Sequence, residues 1–259
     1  MKTSSLIYDG SFNGLLTCVF ASFEQKLKVT SIQPPGSSQN DMFAEVTEIQ
    51  TNPEQAKRVW KAFKRIATTT GQQNIYYAYL TETSGMEIDI LKYLEHTFYL
   101  KASIDGDYTN MHVLKIAKAA KQLGREKHRM EAFVRFKLTK DDIYFATINP
   151  DFNVLPVIKS HFTTRYSDQQ WLIYDIKRKF GLYYDLKKTE VISLDFSAEW
   201  SSTSKNEGFF DASEIEFQHL WKEYFQSTTI KSRINKKLHH QHVPKRYWQY
   251  LIEKNPLHI

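Results

Sequence analysis

Apolar side chains recur every three to four positions through much of the first half of the chain, a pattern that predicts amphipathic helices. The predicted helices cover residues 12–23, 53–70, 75–80, 87–98 and 111–130. Ser11 follows Asp9 and Gly10 directly and is placed to cap the first helix. Cys18 lies off the apolar arc of that helix, so the pattern favours neither a core position nor a catalytic role for its thiol.

The period of the apolar pattern changes to two after Phe133, which predicts β-strands. Together with two earlier segments, the predicted strands cover residues 5–8, 43–49, 133–138, 143–148, 171–175, 182–185 and 191–194. A helix is predicted over 155–166, and three more over 214–225, 231–239 and 245–254. The hairpin-scale spacing of the later strands favours antiparallel pairing.

These elements predict an α+β fold: an antiparallel sheet from the central region, several packed helices and a basic helical C-terminal segment. No internal repeat or long linker divides the chain, so we predict a single domain over residues 1–259. Within it, residues 1–200 are expected to form a mixed core, and residues 201–259 a basic helical segment packed on that core.

The composition excludes several classes of protein. A hydrophobic share of 41% and a charged share of 25% are near the average for folded domains, which excludes disordered and collagen-like chains. No apolar run approaches the roughly 20 residues that span a bilayer, and the N-terminus has no signal-peptide pattern. With one cysteine and no disulfide, we expect a cytoplasmic protein without a membrane partner.

The formal net charge of +6 is concentrated near the C-terminus. Residues 228–259 carry seven Lys or Arg and one acidic residue, while the rest of the chain balances 28 against 28. The basic residues stand beside Tyr247 and Trp248, an arrangement that suits phosphate attraction and base stacking on nucleic acid. The alternative is that these two rings anchor a terminal helix. His239, His240 and His242 lack a nearby carboxylate or cysteine, so we predict no metal site and no cofactor.

A basic stripe on the 111–130 helix is a second candidate for contact with a phosphate backbone. Its members are Lys115, Lys118, Lys121, Arg125 and Arg129. The alternative is a solvated helix face with intrahelical ion pairs. Glu126 and His128 lie in the same segment and are residue types that acid–base catalysis uses.

Two further groups carry candidate chemistry. His161 and Arg165, four residues apart on the 155–166 helix, suit an anionic ligand or an ion pair with Asp168 or Asp175. Asp151 or Asn153 is expected to cap that helix. Asp175 shares a strand face with Trp171, which would raise its pKa, but it is equally placed to pair with Arg178.

Several motifs together resemble one bacterial family. They are Tyr8-Asp9-Gly10-Ser11-Phe12, Glu126-x-His128-Arg129-Met130, Phe133-Val134-Arg135-Phe136, Pro150-Asp151-x-Asn153, His161-Phe162-x-x-Arg165, Trp171-Leu172-Ile173-Tyr174-Asp175, Arg233-x-Asn235 and Pro244-x-Arg246-Tyr247-Trp248. It is an uncharacterised family whose label refers to DNA metabolism or DNA repair. The resemblance implies a gene beside that of a radical-SAM protein, and in some bacteria fusion to a uracil-DNA-glycosylase-like domain. It implies no established reaction.

Three functions stay open at this point. The first is a DNA-binding protein of DNA metabolism or repair that works with a radical-SAM partner. Its expected nucleic-acid contacts are Lys115, Lys118, Arg125, Arg129, Arg135, Arg165, Arg178, Arg233, Asn235, Lys236, Lys237, Lys245 and Arg246. The second is a nucleic-acid lyase, glycosylase or hydrolase that pairs Asp9 or Asp175 with His128 or His161. The third is a protein-interaction scaffold.

Overall fold

The structure, a computed structural model, describes residues 3–36, 45–193, 209–211, 213–228 and 240–254. The chain divides into two compact units, Met1–Gly124 (unit 1) and Arg125–Ile259 (unit 2). A single domain over residues 1–259 stays a prediction. In the described part of the chain, no helix is both long enough and apolar enough to cross a bilayer.

Unit 1 combines a small parallel sheet with several helices. Its elements are β1 (Thr3–Ile7), α1 (Phe12–Glu24), β2 (Lys28–Gln33), β3 (Glu45–Glu48), α2 (Pro53–Lys64), α3 (Thr69–Leu80), α4 (Met86–Leu100) and the first part of α5 (Met111–Phe133). β1 lies between β2 and β3 and pairs in parallel with both. Because β1 and β2 run in the same direction, the chain between them must cross over, and α1 makes that crossing.

The first helix confirms one expectation and corrects another. The Ser11 hydroxyl accepts a hydrogen bond from the Gly14 N–H at 2.9 Å, so the predicted cap is confirmed. The expectation that Cys18 lies outside the core is wrong, because its side chain is fully buried in the core of unit 1. α1 contacts β2, α2 and α4, so more than one arc of this helix is covered. An apolar arc marks only the most hydrophobic of those faces.

The helix predicted over residues 53–70 is two helices. α2 ends at Lys64, and α3 begins at Thr69 instead of at residue 75. Thr68 has extended backbone angles, and its hydroxyl accepts from the Gly71 N–H at 3.1 Å. A threonine in this conformation caps a new helix, which is why the earlier one does not continue.

Unit 2 contains a five-stranded sheet with helices. Its elements are the end of α5, β4 (Lys137–Leu138), β5 (Tyr144–Ile148), α6 (Leu155–Arg165), β6 (Trp171–Asp175), β7 (Phe180–Tyr184), β8 (Thr189–Ser193), α7 (Ser213–Thr228) and a 3₁₀ helix (Lys245–Tyr250). The strand order is β4-β5-β6-β7-β8. Trp171, Phe162 and Tyr247 lie in its core, so strand, helix and C-terminal segment meet there.

The α+β class is confirmed, but the purely antiparallel sheet is wrong. β5 and β6 are parallel, because α6 carries the chain back across the sheet between them; the other neighbours in this sheet are antiparallel. The strand predicted over 133–138 is short, since α5 continues to Phe133. The segment predicted as a helix over 245–254 is a 3₁₀ helix that ends at Tyr250. The helix predicted over 231–239 lies outside the described residues.

Candidate nucleic-acid interface

Motif residues of unit 2 that are distant in sequence meet at Asp151, in the loop between β5 and α6. The Asp151 carboxylate pairs with Arg246 Nη1. Its backbone N–H donates to Glu126 Oε1 at 3.0 Å. Its carbonyl accepts from Lys177 Nζ and from Arg178 Nη2, each at 3.0 Å. We call this set of contacts the Asp151 hub, and it holds the loop from three separate segments of the chain.

Glu126 is the buried anchor of the hub. Its side chain is 1% exposed. Oε2 accepts from Arg246 Nη2 at 3.1 Å, and Oε1 accepts from the Tyr247 hydroxyl. Burial and the adjacent Glu126 raise the pKa of Tyr247, so the hydroxyl stays a donor. Arg129 Nη1 lies 3.5 Å from Oε2 at the edge of this group. The carboxylate of Glu126 is therefore occupied by protein groups.

Both alternatives predicted for Asp175 hold together: its pKa is raised, and it forms an ion pair with Arg178. It is fully buried, and its Oδ2 accepts from Arg178 Nη1 at 2.9 Å. Oδ1 accepts from the backbone N–H groups of Lys177 and Arg178 at 2.9 and 3.2 Å. Burial raises the pKa of Asp175, although the ion pair opposes that shift. These contacts close the turn after β6 and aim Arg178 at the hub.

The capping role predicted for Asp151 or Asn153 is wrong. α6 follows Val154, and no side chain caps its first turn among the described residues. The Asp151 carboxylate binds Arg246 instead, because the fold brings that guanidinium to it.

A basic cleft of about 490 Å³ opens beside the hub. It is lined by Asn149, Pro150, Asp151, Lys177, Lys245, Arg246 and Gln249. Lys177 and Lys245 are exposed, and the side chain of Arg246 is 42% exposed. The cleft therefore offers three cations and two amides around one acidic side chain, a set that suits a phosphate group.

An aromatic groove of about 830 Å³ is the second cavity of unit 2. Its rings are Phe136, Tyr144, Phe162, Tyr166, Phe217 and Trp221. Its charged or titratable residues are Glu131, Arg135, His161, Arg165 and Glu214. Three residues singled out from the sequence, Arg135, His161 and Arg165, thus line one cavity. Rings beside cations are the residue types that hold unpaired bases and their phosphates.

The two arginines of the groove differ in how far other protein groups already engage them. Arg165 is exposed, with its guanidinium 5.8 Å from the ring centroid of Tyr166. Arg135 is engaged by the protein: Nη2 lies 2.9 Å from Glu253 Oε1, and the guanidinium lies 5.7 Å from the Trp221 ring. Trp221 Nε1 also donates to Glu253, at 3.1 Å. Arg135 therefore orients the Trp221 ring, while Arg165 is the cation presented to a ligand.

His161 lies beside a carboxylate that the sequence did not single out. Its Nδ1 is 4.0 Å from Glu131 Oε1, and its side chain is partly exposed. Glu131 also pairs with Lys127, one turn earlier on α5. The acid beside this histidine is therefore Glu131, whereas the predicted Asp175 is occupied by Arg178.

In unit 1, Asp9 has a structural environment. Its Oδ1 accepts from the Ser11 N–H at 2.9 Å and the Ser11 hydroxyl at 2.7 Å. Partial burial opposes ionisation, but these hydrogen bonds outweigh it and lower the pKa of Asp9. Gly14 packs against the carboxylate so closely that a Cβ there would lie 2.2 Å from Oδ1.

Part of the basic stripe of α5 is paired. Lys115 Nζ lies 3.2 Å from Asp89 Oδ1, and His112 Nδ1 lies 2.6 Å from the same oxygen. This Asp–His pair was missed from the sequence, because its members lie on different helices. Three other residues of the stripe are exposed, and so is His128 in the same segment. They are Lys118, Lys121, Arg125 and His128.

Four predicted contacts and one histidine lie outside the described residues: Arg233, Asn235, Lys236, Lys237 and His239. Among the residues that are described, no group of three His, Cys, Asp or Glu side chains could hold a metal ion. Phe217 and Trp221 were not singled out from the sequence, although their spacing of four on α7 places both on one helix face.

Comparisons with known proteins add a family but no function. A family model described as a domain of unknown function, DUF4130, matches residues 84–253. This range is more than half of the chain, so the chain belongs to that family. Every candidate residue except Asp9 falls within it.

No curated protein matches the chain. Among solved structures, a pGpG-specific phosphodiesterase from Vibrio cholerae, PggH, is similar at 12% identity and a TM-score of 0.35. The similarity covers 71% of this chain and 81% of that one. At these values it supports no statement about function.

Proposed function

We propose that this member of the DUF4130 family is a nucleic-acid-binding protein of DNA metabolism or repair, and that the aromatic groove of unit 2 is its contact surface. The observation that carries the proposal is the combination of the exposed Phe217 and Trp221 rings with Arg165 and His161 in one open cavity. A duplex hides its base faces, so a surface of this kind suits single-stranded or locally unpaired nucleic acid.

The aromatic and the cationic side chains of the groove are expected to contact different parts of a nucleotide. Phe217 is 60% exposed and Trp221 is 39% exposed, so both offer ring surface to a base. Arg165 supplies the charge for a phosphate, and its position beside Tyr166 keeps cation and ring together. Glu131 and Glu214 balance the charges of Arg135 and Arg165 in the lining of the groove. Stacking is therefore expected to contribute more of the affinity than phosphate attraction.

DNA as the ligand and a radical-SAM protein as the partner are the finer part of the proposal. Their support is the motif resemblance of the sequence, since rings and an arginine serve RNA as well as DNA. A comparison of DNA and RNA oligonucleotides of the same sequence tests the ligand. Co-purification of the two proteins after joint expression tests the partner.

The groove is tested by fluorescence anisotropy with a labelled twelve-residue thymidine oligonucleotide across a salt series. Phe217→Ala is expected to lower the affinity by about five- to a hundredfold with the salt slope unchanged, because one base–ring contact is worth about 1–3 kcal/mol. Arg165→Ala is expected to make the logarithmic slope about 0.7 shallower, because one phosphate of the single strand is no longer neutralised.

The matched control is Lys159→Ala, an exposed cation on α6 that does not line the groove. It carries the same charge change as Arg165→Ala and is expected to leave both affinity and slope close to wild type. Equal effects of Lys159→Ala and Arg165→Ala would assign binding to overall charge. Absence of binding to any nucleic acid at low salt would refute the proposal and favour the scaffold function, with the exposed rings of α7 facing a protein.

Catalysis in the same groove is a second candidate, favoured by the position of His161 beside Glu131. The two side chains are 4.0 Å apart, which is beyond hydrogen-bond distance but leaves a carboxylate next to a histidine, the pair of residue types that general acid–base catalysis uses. His161→Gln keeps the size and polarity of the side chain but does not titrate. If the protein cleaves abasic or uracil-containing oligonucleotides, this change is expected to abolish turnover and to preserve binding. Unchanged turnover in His161→Gln would exclude this role.

A further inference from the structure

The basic cleft of unit 2 carries a separate inference, which rests on the proposed function. We propose that the basic cleft is a phosphate subsite, and that the Asp151 carboxylate holds the place of the ligand phosphate on Arg246 until the ligand displaces it. Phosphate and carboxylate both present oxygen acceptors to a guanidinium fork, so one can replace the other.

The cations of the cleft come from separate parts of unit 2. Lys177 lies in the turn between β6 and β7, whereas Lys245 and Arg246 begin the 3₁₀ helix. Asn149 follows β5 and adds an amide to the lining. A solvated helix face does not explain this convergence, because the three cations are brought together by the fold and surround one concave space.

The backbone and the side chain of Asp151 are held in different ways. The backbone N–H and carbonyl are tied to Glu126, Lys177 and Arg178. The side chain is 50% exposed, and Arg246 is its ion-pair partner in the described structure. The carboxylate can therefore turn toward solvent by rotation about its own side-chain bonds, while the loop stays in place.

Arg246 is held so that it keeps its position when Asp151 turns away. Its Nη2 remains on Glu126, which is buried and accepts at 3.1 Å. The Nη1 side then faces the cleft without an acceptor, next to Lys177 and Lys245. Because an ion pair with a half-exposed partner is weak, its replacement by a phosphate that two lysines also attract is favourable.

The test is isothermal titration calorimetry with inorganic pyrophosphate in the presence of a metal chelator. Asp151→Asn keeps the shape of the side chain but removes the competing charge, so pyrophosphate is expected to bind about two- to fivefold more tightly. The matched control is Asp168→Asn, an exposed acid outside the cleft, which makes the same change in net charge. It is expected to have no effect.

The reverse change is the double variant Lys177→Ala and Lys245→Ala, which leaves the buried Glu126–Arg246 pair intact. Pyrophosphate binding is expected to weaken at least fivefold. The salt slope for the thymidine oligonucleotide is expected to become shallower by about 0.7 for each phosphate that the two lysines had neutralised. Absence of pyrophosphate binding, or an Asp151→Asn affinity that equals or falls below wild type, would overturn the inference.

The same measurements separate this inference from the proposed function. Pyrophosphate binding that tightens in Asp151→Asn, without any binding of the oligonucleotide, would support the subsite and refute the nucleic-acid function. Oligonucleotide binding that depends on Phe217 and Arg165 but not on Lys177 or Lys245 would support the groove and refute the subsite.

Discussion

Glu126 joins α5, the Asp151 loop and the 3₁₀ helix, so its replacement tests whether the hub stabilises unit 2. Oε1 accepts from the Asp151 N–H and the Tyr247 hydroxyl, while Oε2 accepts from Arg246. Tyr247 is 1% exposed, so its hydroxyl has no access to water as a replacement acceptor. Arg246 Nη2 lies nearer to Oε2, at 3.1 Å, than to Oε1, at 3.4 Å, whereas the Asp151 N–H and the Tyr247 hydroxyl bond Oε1. Two substitutions therefore distinguish the charge of Glu126 from its Oε1 acceptor.

Glu126→Ala leaves the Asp151 N–H and the Tyr247 hydroxyl unpaired, at about 1–3 kcal/mol for each buried group. The lost contact to Arg246 adds little to this cost, because Arg246 still pairs with Asp151 and its side chain is 42% exposed. The expected cost is about 2–6 kcal/mol, which overlaps the range of about 3–5 kcal/mol for breaking a buried pair. Glu126→Gln keeps an oxygen at the Oε1 position and loses the charge toward Arg246, so its cost is about 1–2 kcal/mol.

Urea unfolding followed by tryptophan fluorescence measures these costs as shifts of the midpoint. With a slope of about 1–3 kcal/mol per molar urea, Glu126→Ala is expected to shift the midpoint by about 0.7 M or more. Hydrogen exchange of amides 244–254 locates the loss in the C-terminal segment. Glu190→Ala, which removes an exposed partner of Lys188, is the control and is expected to leave the midpoint unchanged. Equal midpoints for Glu126→Ala and Glu190→Ala would refute the structural role of the hub.

Further predictions concern two glycines and Cys18, all of which lie in unit 1. Gly14→Ala is expected to destabilise the protein by about 1–3 kcal/mol, because the new Cβ would lie 2.2 Å from Asp9 Oδ1. The control is Gly124→Ala, where a Cβ would meet nothing within 4 Å. This change is expected to stabilise the protein by about 0.5–1 kcal/mol through helix propensity. Thermal unfolding measures both, and equal melting temperatures would contradict the close contact at Gly14. Burial raises the pKa of the Cys18 thiol to about 12, so a thiol reagent at pH 8 is expected to label it only after unfolding. Because the folded state keeps this proton longer, stability is expected to fall between about pH 9 and 12 by about 1.4 kcal/mol per pH unit, a loss that Cys18→Ala lacks. Rapid labelling of the native protein would contradict the burial of Cys18.

The basic C-terminal segment shows how far charge alone can guide a prediction. Its excess of Lys and Arg drew attention to Arg246, but it did not show that Glu126 and Asp151 would share the guanidinium. Arg135 is a similar case, because its partner Glu253 lies 118 residues further along the chain. A count of charged residues predicts the overall electrostatic field of a segment. Whether a given arginine can bind a ligand depends on which carboxylate the fold places beside it.

Local sequence determined many of the elements of this protein, although it did not predict β2 or the break between α2 and α3. The 3.6-residue period located α4, α5 and α6, the period of two located β5 and β6, and Ser11 marked the start of α1. These features depend on residues within one or two turns of each other, so they can be predicted without the fold.

Tertiary structure alone decided the direction of β5 and β6 and the composition of both cavities. The Arg246–Glu126 pair joins residues 120 positions apart, and the Arg178–Asp151 contact spans 27. Periodic patterns in the sequence relate residues only a few positions apart, so they cannot predict contacts at these separations. The free energy that selects these pairs comes from burying the whole core, which places most buried donors beside acceptors. That placement exists only once the chain has folded.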